Sequence, residues 1–223
     1  DLTLDIMEDF GINVQRQGDD HFYLTPQRYT SPGYYRIEGD VSSASYFFAV
    51  PAICGGWVEV SNITPNTRQG DIGFLEILSE MGCQVIIKPE GIRVVGAERL
   101  LGVDINMGDI SDTAMTLAVI APFAESPTTI RGIASSRLKE SDRIGAICNE
   151  LIRLGVQVEE RHDGMIIYPC DRFLSGKINT YNDHRIAMAF SLLGLRVSGI
   201  KIENPGCVSK TFPDFFRLLE DLR

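Results

Sequence analysis

Three short stretches carry side chains suited to chemistry on anions. Thr180-Tyr181-Asn182-Asp183-His184-Arg185 sets an acid, an imidazole and a guanidinium at the head of an apolar run, Ile186 to Leu195. Ser135-Ser136-Arg137-Leu138-Lys139-Glu140-Ser141-Asp142-Arg143 leads into a segment with Ile144, Ile147, Leu151 and Leu154 on one helical face. Val208-Ser209-Lys210-Thr211-Phe212-Pro213-Asp214 puts a lysine ahead of a last amphipathic segment.

Each stretch has two readings. Asn182-Asp183 sits where a helix N-cap belongs, and Arg185 falls in the first turn, where the helix dipole disfavours a cation. Arg185 therefore needs an anion, either a neighbouring carboxylate or a ligand. Glu140, Ser141 and Asp142 suit a charged helix start. Alternatively, Lys139 and Arg143, four apart, share a side if both are helical and clamp a phosphate or carboxylate together with Arg185. Glu140 is then a candidate acid, although the cations beside it lower its pKa. Ser209 or Thr211 is expected to cap a helix over Phe212 to Leu222 with Pro213 in its first turn, leaving Lys210 either solvated or facing an anion. His21 and His162 read as surface residues, and Trp57 and the phenylalanines as core.

The elements that must position these groups repeat. Gly39-Asp40-Val41-Ser42 opens an apolar helix, Ala44 to Cys54, followed by a strand, Trp57 to Val60. A second helix, Ile72 to Met81, ends at Gly82, and a hairpin follows over Gln84 to Ile87 and Ile92 to Val95. The pattern restarts at Gly108-Asp109 and again at Asn182-Asp183, intervals of about 70 residues. The second round has helices over Thr113 to Ala124 and Ser141 to Leu154, the latter stopping at Gly155, a strand over Thr128 to Ile130, and a hairpin over Val156 to Glu159 and Met165 to Tyr168. The third has the helix after Asp183, a strand over Gly199 to Ile202 and the last helix. Each unit reads helix, strand, helix, strand, strand, with a further strand leading in, an α/β design. Residues 1–36 match the tail of such a unit, Leu4 to Phe10 preceding Gly11 as Leu75 to Met81 precede Gly82, with His21 to Leu24 as closing strand. The chain is thus expected to begin inside a repeat, with an upstream part missing.

Asp40, Asp112 and Asp183 each start an apolar helix. Around a pseudo-threefold axis these helices would lie side by side, their N-termini forming one anion-binding face.

Composition narrows the classes. A chain of 223 residues with 44% hydrophobic and 23% charged residues has material for a normal core. A net charge of -9 argues against a general nucleic-acid binder. Five cysteines, odd in number and without a C-x-x-C pair, favour reduced, mostly buried thiols in a cytoplasmic protein and argue against zinc. No signal peptide and no membrane-spanning apolar run are seen.

Four motifs in order, Gly39 to Phe47, Arg137 to Arg143, Thr180 to Met188 and Lys210 to Asp214, closely resemble those of the second half of the 5-enolpyruvylshikimate-3-phosphate synthase family. The resemblance implies an inside-out α/β barrel of enolpyruvyl transferase type, with repeated βαβαββ units, helices inside and sheets outside. It implies that residues 1–36 end the first domain. Residues 37–223 would form the second, lacking a segment that family members supply from their N-terminus. The implied reaction transfers the enolpyruvyl group of phosphoenolpyruvate to the 5-hydroxyl of shikimate 3-phosphate and releases phosphate, in aromatic amino-acid biosynthesis. No metal or organic cofactor is implied.

By the same resemblance Asp112 is the base at the attacking hydroxyl, Lys139 contacts shikimate 3-phosphate near the reacting atoms, and Glu140 delivers the proton. Arg143, Arg185 and Lys210 grip phosphoenolpyruvate, and His184 lines the site. Ser135 stands where the family often has an asparagine contacting the shikimate part. The family's N-terminal lysine, glycine-rich loop and serine-rich phosphate site are not in this sequence, so the chain alone is expected to be nearly silent. Its implied partners are the two substrates and the missing half of the same enzyme, with no nucleic acid or membrane, and a monomer when full length. Sensitivity to glyphosate, the inhibitor associated with the family, would depend partly on the missing half. Two competing readings are a UDP-N-acetylglucosamine enolpyruvyl transferase and a non-catalytic α/β interaction module.

Overall fold

The computed structural model describes residues 1–222. The chain divides into two compact units, Asp1–Glu38 and the residues from Gly39 onward. In the first, helix α1 (Leu2–Asp9) precedes an antiparallel pair, β1 (Gln15–Gln17) and β2 (His21–Tyr23). Several large apolar side chains of this unit stand exposed, among them Phe22, Tyr23, Leu24, Tyr29 and Tyr34.

The second unit contains the repeat. Helix α2 (Val41–Cys54) is followed by β3 (Trp57–Ser61), α3 (Phe74–Glu80), β4 (Gln84–Lys88) and β5 (Gly91–Val95). The middle round is β6 (Asp104–Asn106), α4 (Ala114–Ile120), β7 (Thr128–Arg131), α5 (Arg143–Arg153), β8 (Val158–Arg161) and β9 (Gly164–Ile167). The last is β10 (Gly176–Ile178), α6 (His184–Leu193), β11 (Ile200–Ile202) and α7 (Phe215–Glu220). Among the described residues no helix is long and apolar enough to cross a membrane.

The middle round gives the complete pattern. Its sheet runs β6-β7-β9-β8, with β6 parallel to β7 and the other pairs antiparallel. Among the described residues the first round forms β3-β5-β4, and the edge of β3 that corresponds to the β6 side of β7 has no strand paired to it. The last forms the parallel pair β10-β11, without a hairpin.

Helices α2, α4 and α6 are apolar nearly all round and bury almost every residue, as helices enclosed by other elements must. All three pack against one another. They run the same way. Near their starts the Ser45 hydroxyl lies 3.0 Å from that of Thr116, and near their ends Arg196, past α6, donates to the carbonyl of Ile53 in α2. Helix α5, by contrast, has a single apolar stripe, burying Ile144, Ile147 and Leu151. Gly82 and Gly155 follow α3 and α5 at φ 100° and 86°, a left-handed turn that costs glycine least.

Several expectations are corrected. Trp57 is 58% exposed, since it points away from the core at a sheet edge, and the Arg93 guanidinium covers its ring 3.9 Å from the centroid. Phe22 is also exposed. The five cysteines are free, but only Cys83 and Cys148 are buried. The last helix starts at Phe215, after Asp214, and Thr211 and Ser209 do not cap it. Phe212 packs before the helix against Phe47 and Phe215, and Val208 to Lys210 instead close a 3-10 turn over Pro205–Lys210.

Candidate active site

The site forms where the N-terminal ends of α2, α4 and α6 meet. Asp40 caps α2, accepting from the Ser42 amide at 3.1 Å, and Asp183 caps α6, accepting from the Arg185 amide at 2.9 Å. Asp112 breaks the series: the residue before α4 is Thr113, with no side-chain cap bond. Its carboxylate is drawn to cations instead. Lys139 Nζ reaches Oδ1 at 2.7 Å, Arg143 Nη1 reaches Oδ1 at 3.0 Å and Arg185 Nη2 reaches Oδ2 at 3.0 Å. The anion that Arg185 meets is therefore Asp112.

Lys139 and Arg143 do not share a helix face. Helix α5 begins at Arg143, with Asp142 as its cap accepting from the Gly145 amide at 3.0 Å. Lys139 ends a 3-10 turn over Ala134–Leu138 in extended backbone. The loop brings the two cations together by another route. Glu140 leaves the helix start as well. Its carboxylate receives Arg143 Nη2 at 2.5 Å and Lys210 Nζ at 2.6 Å.

Arg143 is the hub. It is 1% exposed and binds Asp112, Glu140 and Asp183. Asp183, fully buried, takes Nε at 2.8 Å and the hydroxyl of Ser141 at 2.9 Å while still capping α6. A charge this far from water requires such partners.

The charges set the acidities. Burial raises Asp112, but the hydrogen bond from Lys139 and the charges of Arg185, Lys139 and Arg143 outweigh it and hold the carboxyl below its usual range. Glu140 is pulled down to about 2, first by the Lys210 hydrogen bond and against a smaller desolvation, with Arg143 adding to the pull. Burial depresses His184, whose Nδ1 is buried without a hydrogen-bond partner among the described residues. Asp71, hydrogen-bonded by Ser42, is raised by burial and by the nearby charge of Asp112.

Of the residues singled out in the sequence, Asp112, Lys139, Glu140, Arg143, Arg185 and Lys210 join this one network, and His184 adjoins it at the start of α6. Ser135 does not: it is exposed on the turn over Ala134–Leu138.

The sequence reading missed two supports. Glu150 is 1% exposed and bonds Arg153 at 2.8 Å, the Tyr181 hydroxyl at 3.0 Å and the Asn179 amide at 3.2 Å. It steadies Tyr181 and Asn182, both at positive φ (53° and 55°), immediately before Asp183. Asn182 in turn accepts from Asn204 at 2.9 Å, tying this segment to the turn that carries Lys210. The signal was a carboxylate within the Ile147-Leu151 stripe. The other is Tyr46, fully buried on α2.

Parallel helices enclosed by repeated sheets, with a carboxylate and cation network at their N-terminal ends, define the inside-out α/β barrel of the enolpyruvyl transferases. A model of EPSP synthase (3-phosphoshikimate 1-carboxyvinyltransferase) matches residues 1–219, and the chain belongs to that family. It is 50% identical over 216 residues to the 3-phosphoshikimate 1-carboxyvinyltransferase of Nostoc punctiforme, covering 96% of this chain and 50% of that protein. With the chloroplastic protein of that name from Arabidopsis thaliana it shares 46% identity over 229 residues, 99% of this chain and 44% of the relative. An EPSP synthase structure from Acinetobacter baumannii superposes with a TM-score of 0.85 at 29% identity, covering 99% of this chain and 54% of that one. The chain spans about half the length of the curated relatives it matches.

Proposed function

We propose that this chain supplies one half of an active site that transfers the enolpyruvyl group of phosphoenolpyruvate to the 5-hydroxyl of shikimate 3-phosphate, releasing phosphate. The observation that carries the reading is Asp112 held by Lys139, Arg143 and Arg185 beside Glu140 held by Arg143 and Lys210. Two polyanions must be brought together, and fixed cations at helix N-termini offset their repulsion.

In this reading Arg143, Arg185 and Lys210 exchange part of their bonding to Asp112 and Glu140 for the phosphoenolpyruvate anion, with His184 lining the site. Asp112, released from some of its cations, regains basicity and accepts the proton of the attacking 5-hydroxyl. Glu140, freed from Lys210, rises from its depressed pKa and becomes able to hold and deliver the proton to C3 of the enolpyruvyl group. Lys139 stays by the reacting atoms on the shikimate side, where Ser135 offers a short hydroxyl. Phosphate then leaves from C2 as one proton of the C3 methyl returns to Glu140 and restores the C2=C3 double bond, and the proton held on Asp112 departs with the phosphate.

The other half of the site belongs to a partner polypeptide or segment. The unpaired edge of β3 supports this. Beside it lies an apolar groove of about 550 Å³, lined in part by Val58, Val60, Phe47 and Phe212, which a completing strand would fill. The exposed aromatics of residues 1–38 call for the remainder of the first domain in the same way. A monomeric whole enzyme in the cytoplasm completes the reading.

The test is phosphate release from phosphoenolpyruvate plus shikimate 3-phosphate by this chain, alone and mixed with the complementary half. Activity only in the mixture, lost with Asp112→Asn, supports the assignment. No release in a mixture shown to form a stable complex overturns it. Release with UDP-N-acetylglucosamine as acceptor instead would transfer the reading to the sister enzyme.

A further inference from the structure

The oxygen of Tyr46 is in an unusual position. The side chain is fully buried, with its ring edge-on to Phe215 at 5.7 Å. A phenylalanine would make the same ring contact without placing a hydroxyl out of water. That hydroxyl has no hydrogen-bond partner among the described residues, although it is near enough to Arg185, Arg143 and Asp183 to be influenced by their charges. Arg185 is held by Asp112, whose Oδ2 takes Nη2 at 3.0 Å, with the unpartnered Tyr46 oxygen near its other side.

We propose that Tyr46 is a positioning residue for the anion grip, its unpartnered phenol oxygen accepting a hydrogen bond from Arg185 once a substrate anion draws the guanidinium off Asp112, and so fixing the guanidinium plane. The inference rests on the reading of Arg185 as a contact to phosphoenolpyruvate. The logic lies in the exchange of partners. When a substrate anion draws Nη2 away from Asp112, a guanidinium held on that side alone would be free to turn about its Nε–Cζ bond. A second anchor at Tyr46 keeps the remaining N–H groups aimed at the ligand. Burial pushes the phenol up to about 12, so the anchor stays neutral and takes none of the charge that the ligand needs.

The test is Tyr46→Phe in the complex of this chain with its complementary half. The KM for phosphoenolpyruvate should rise about ten- to a hundredfold, as expected for one lost hydrogen bond to a charged group, with kcat within about twofold. The KM for the acceptor and the melting temperature should not fall or rise appreciably. Added to Arg185→Ala, the change should have no further effect. In the NMR spectrum, rotation about the Arg185 Nε–Cζ bond should be faster in the variant. An unchanged KM for phosphoenolpyruvate in Tyr46→Phe, where Arg185→Ala raises it, overturns the role of Tyr46 alone. Equal rises for both substrates together with a lower melting temperature overturn it too, by showing a packing effect. If Arg185→Ala leaves phosphoenolpyruvate binding intact, or the wild-type complex releases no phosphate, the underlying reading falls and the Tyr46 role with it.

Discussion

Asp183 holds Arg143 through both of its oxygens, Oδ2 to Nε at 2.8 Å and Oδ1 to Nη2 at 3.3 Å, with neither side chain in contact with water. Removing one partner leaves a buried charge uncompensated. Asp183→Asn is therefore expected to cost about 3–5 kcal/mol in urea unfolding. Arg143→Met in the same chain should recover part of the loss, because it removes the stranded cation.

Asp112 carries a different burden. Asp112→Asn keeps its size but removes the charge that Lys139, Arg143 and Arg185 share. Phosphate release by the reconstituted complex should fall by about 10²–10⁴-fold, the range for a lost general base. The complex should still form, as measured by size-exclusion chromatography.

Glu140 titrates low because of Lys210. In Lys210→Met, the Glu140 carboxyl signal in a carbon NMR titration should move up from about 2 towards the ordinary glutamate range. The same upward movement is expected when phosphoenolpyruvate is added to the wild-type complex. An unmoved midpoint in both would remove Lys210 as its cause.

His184 makes stability depend on pH in a definable window. The unfolded chain binds a proton near the ordinary histidine value of about 6.5, whereas the folded chain binds it only at lower pH. Protons therefore favour unfolding as pH falls from about 6.5 towards the depressed folded value, and above about 6.5 the effect is absent. Unfolding free energies of wild type and His184→Gln, compared across that range, should show the wild type losing its relative stability on acidification.

Gly164 starts β9, and a Cβ there would stand 1.9 Å from the Ile130 carbonyl oxygen. Gly164→Ala should destabilise by about 1–3 kcal/mol, whereas Gly206→Ala, with open space around it, should be neutral. Thermal melts separate the two.

The repeat was legible because its markers are local. Asp40 and Asp183 announce α2 and α6 by capping, Gly82 and Gly155 mark the ends of α3 and α5, and the apolar runs after the two caps are too uniform for surface helices. The convergence of the motifs on one end followed from parallel helices. Asp112 was expected to start a helix as Asp40 and Asp183 do, but the helix begins two residues later, and proximity to a helix start does not specify whether a carboxylate turns to the backbone or to cations. That choice depends on Lys139 and Arg143 arriving from further along the same round and Arg185 from the next one. Trp57 shows the same limit. Its strand alternates correctly, but which face meets the core is set by packing. Glu150 and Tyr46 lay within apolar surroundings, and their use becomes visible only beside Tyr181 and Arg185.

The sharing of four cations among Asp112, Glu140 and Asp183 has a consequence for selectivity. The resident carboxylates act as a threshold. A visiting ion must offer more charge, in a geometry that meets several cations at once, than the bonds it displaces. Small monovalent ions such as chloride or acetate are expected to fall below that threshold and, on the proposed reading, a compact molecule bearing both a carboxylate and a phosphate is expected to exceed it. A network so neutralised would screen its visitors by valence before shape is tested.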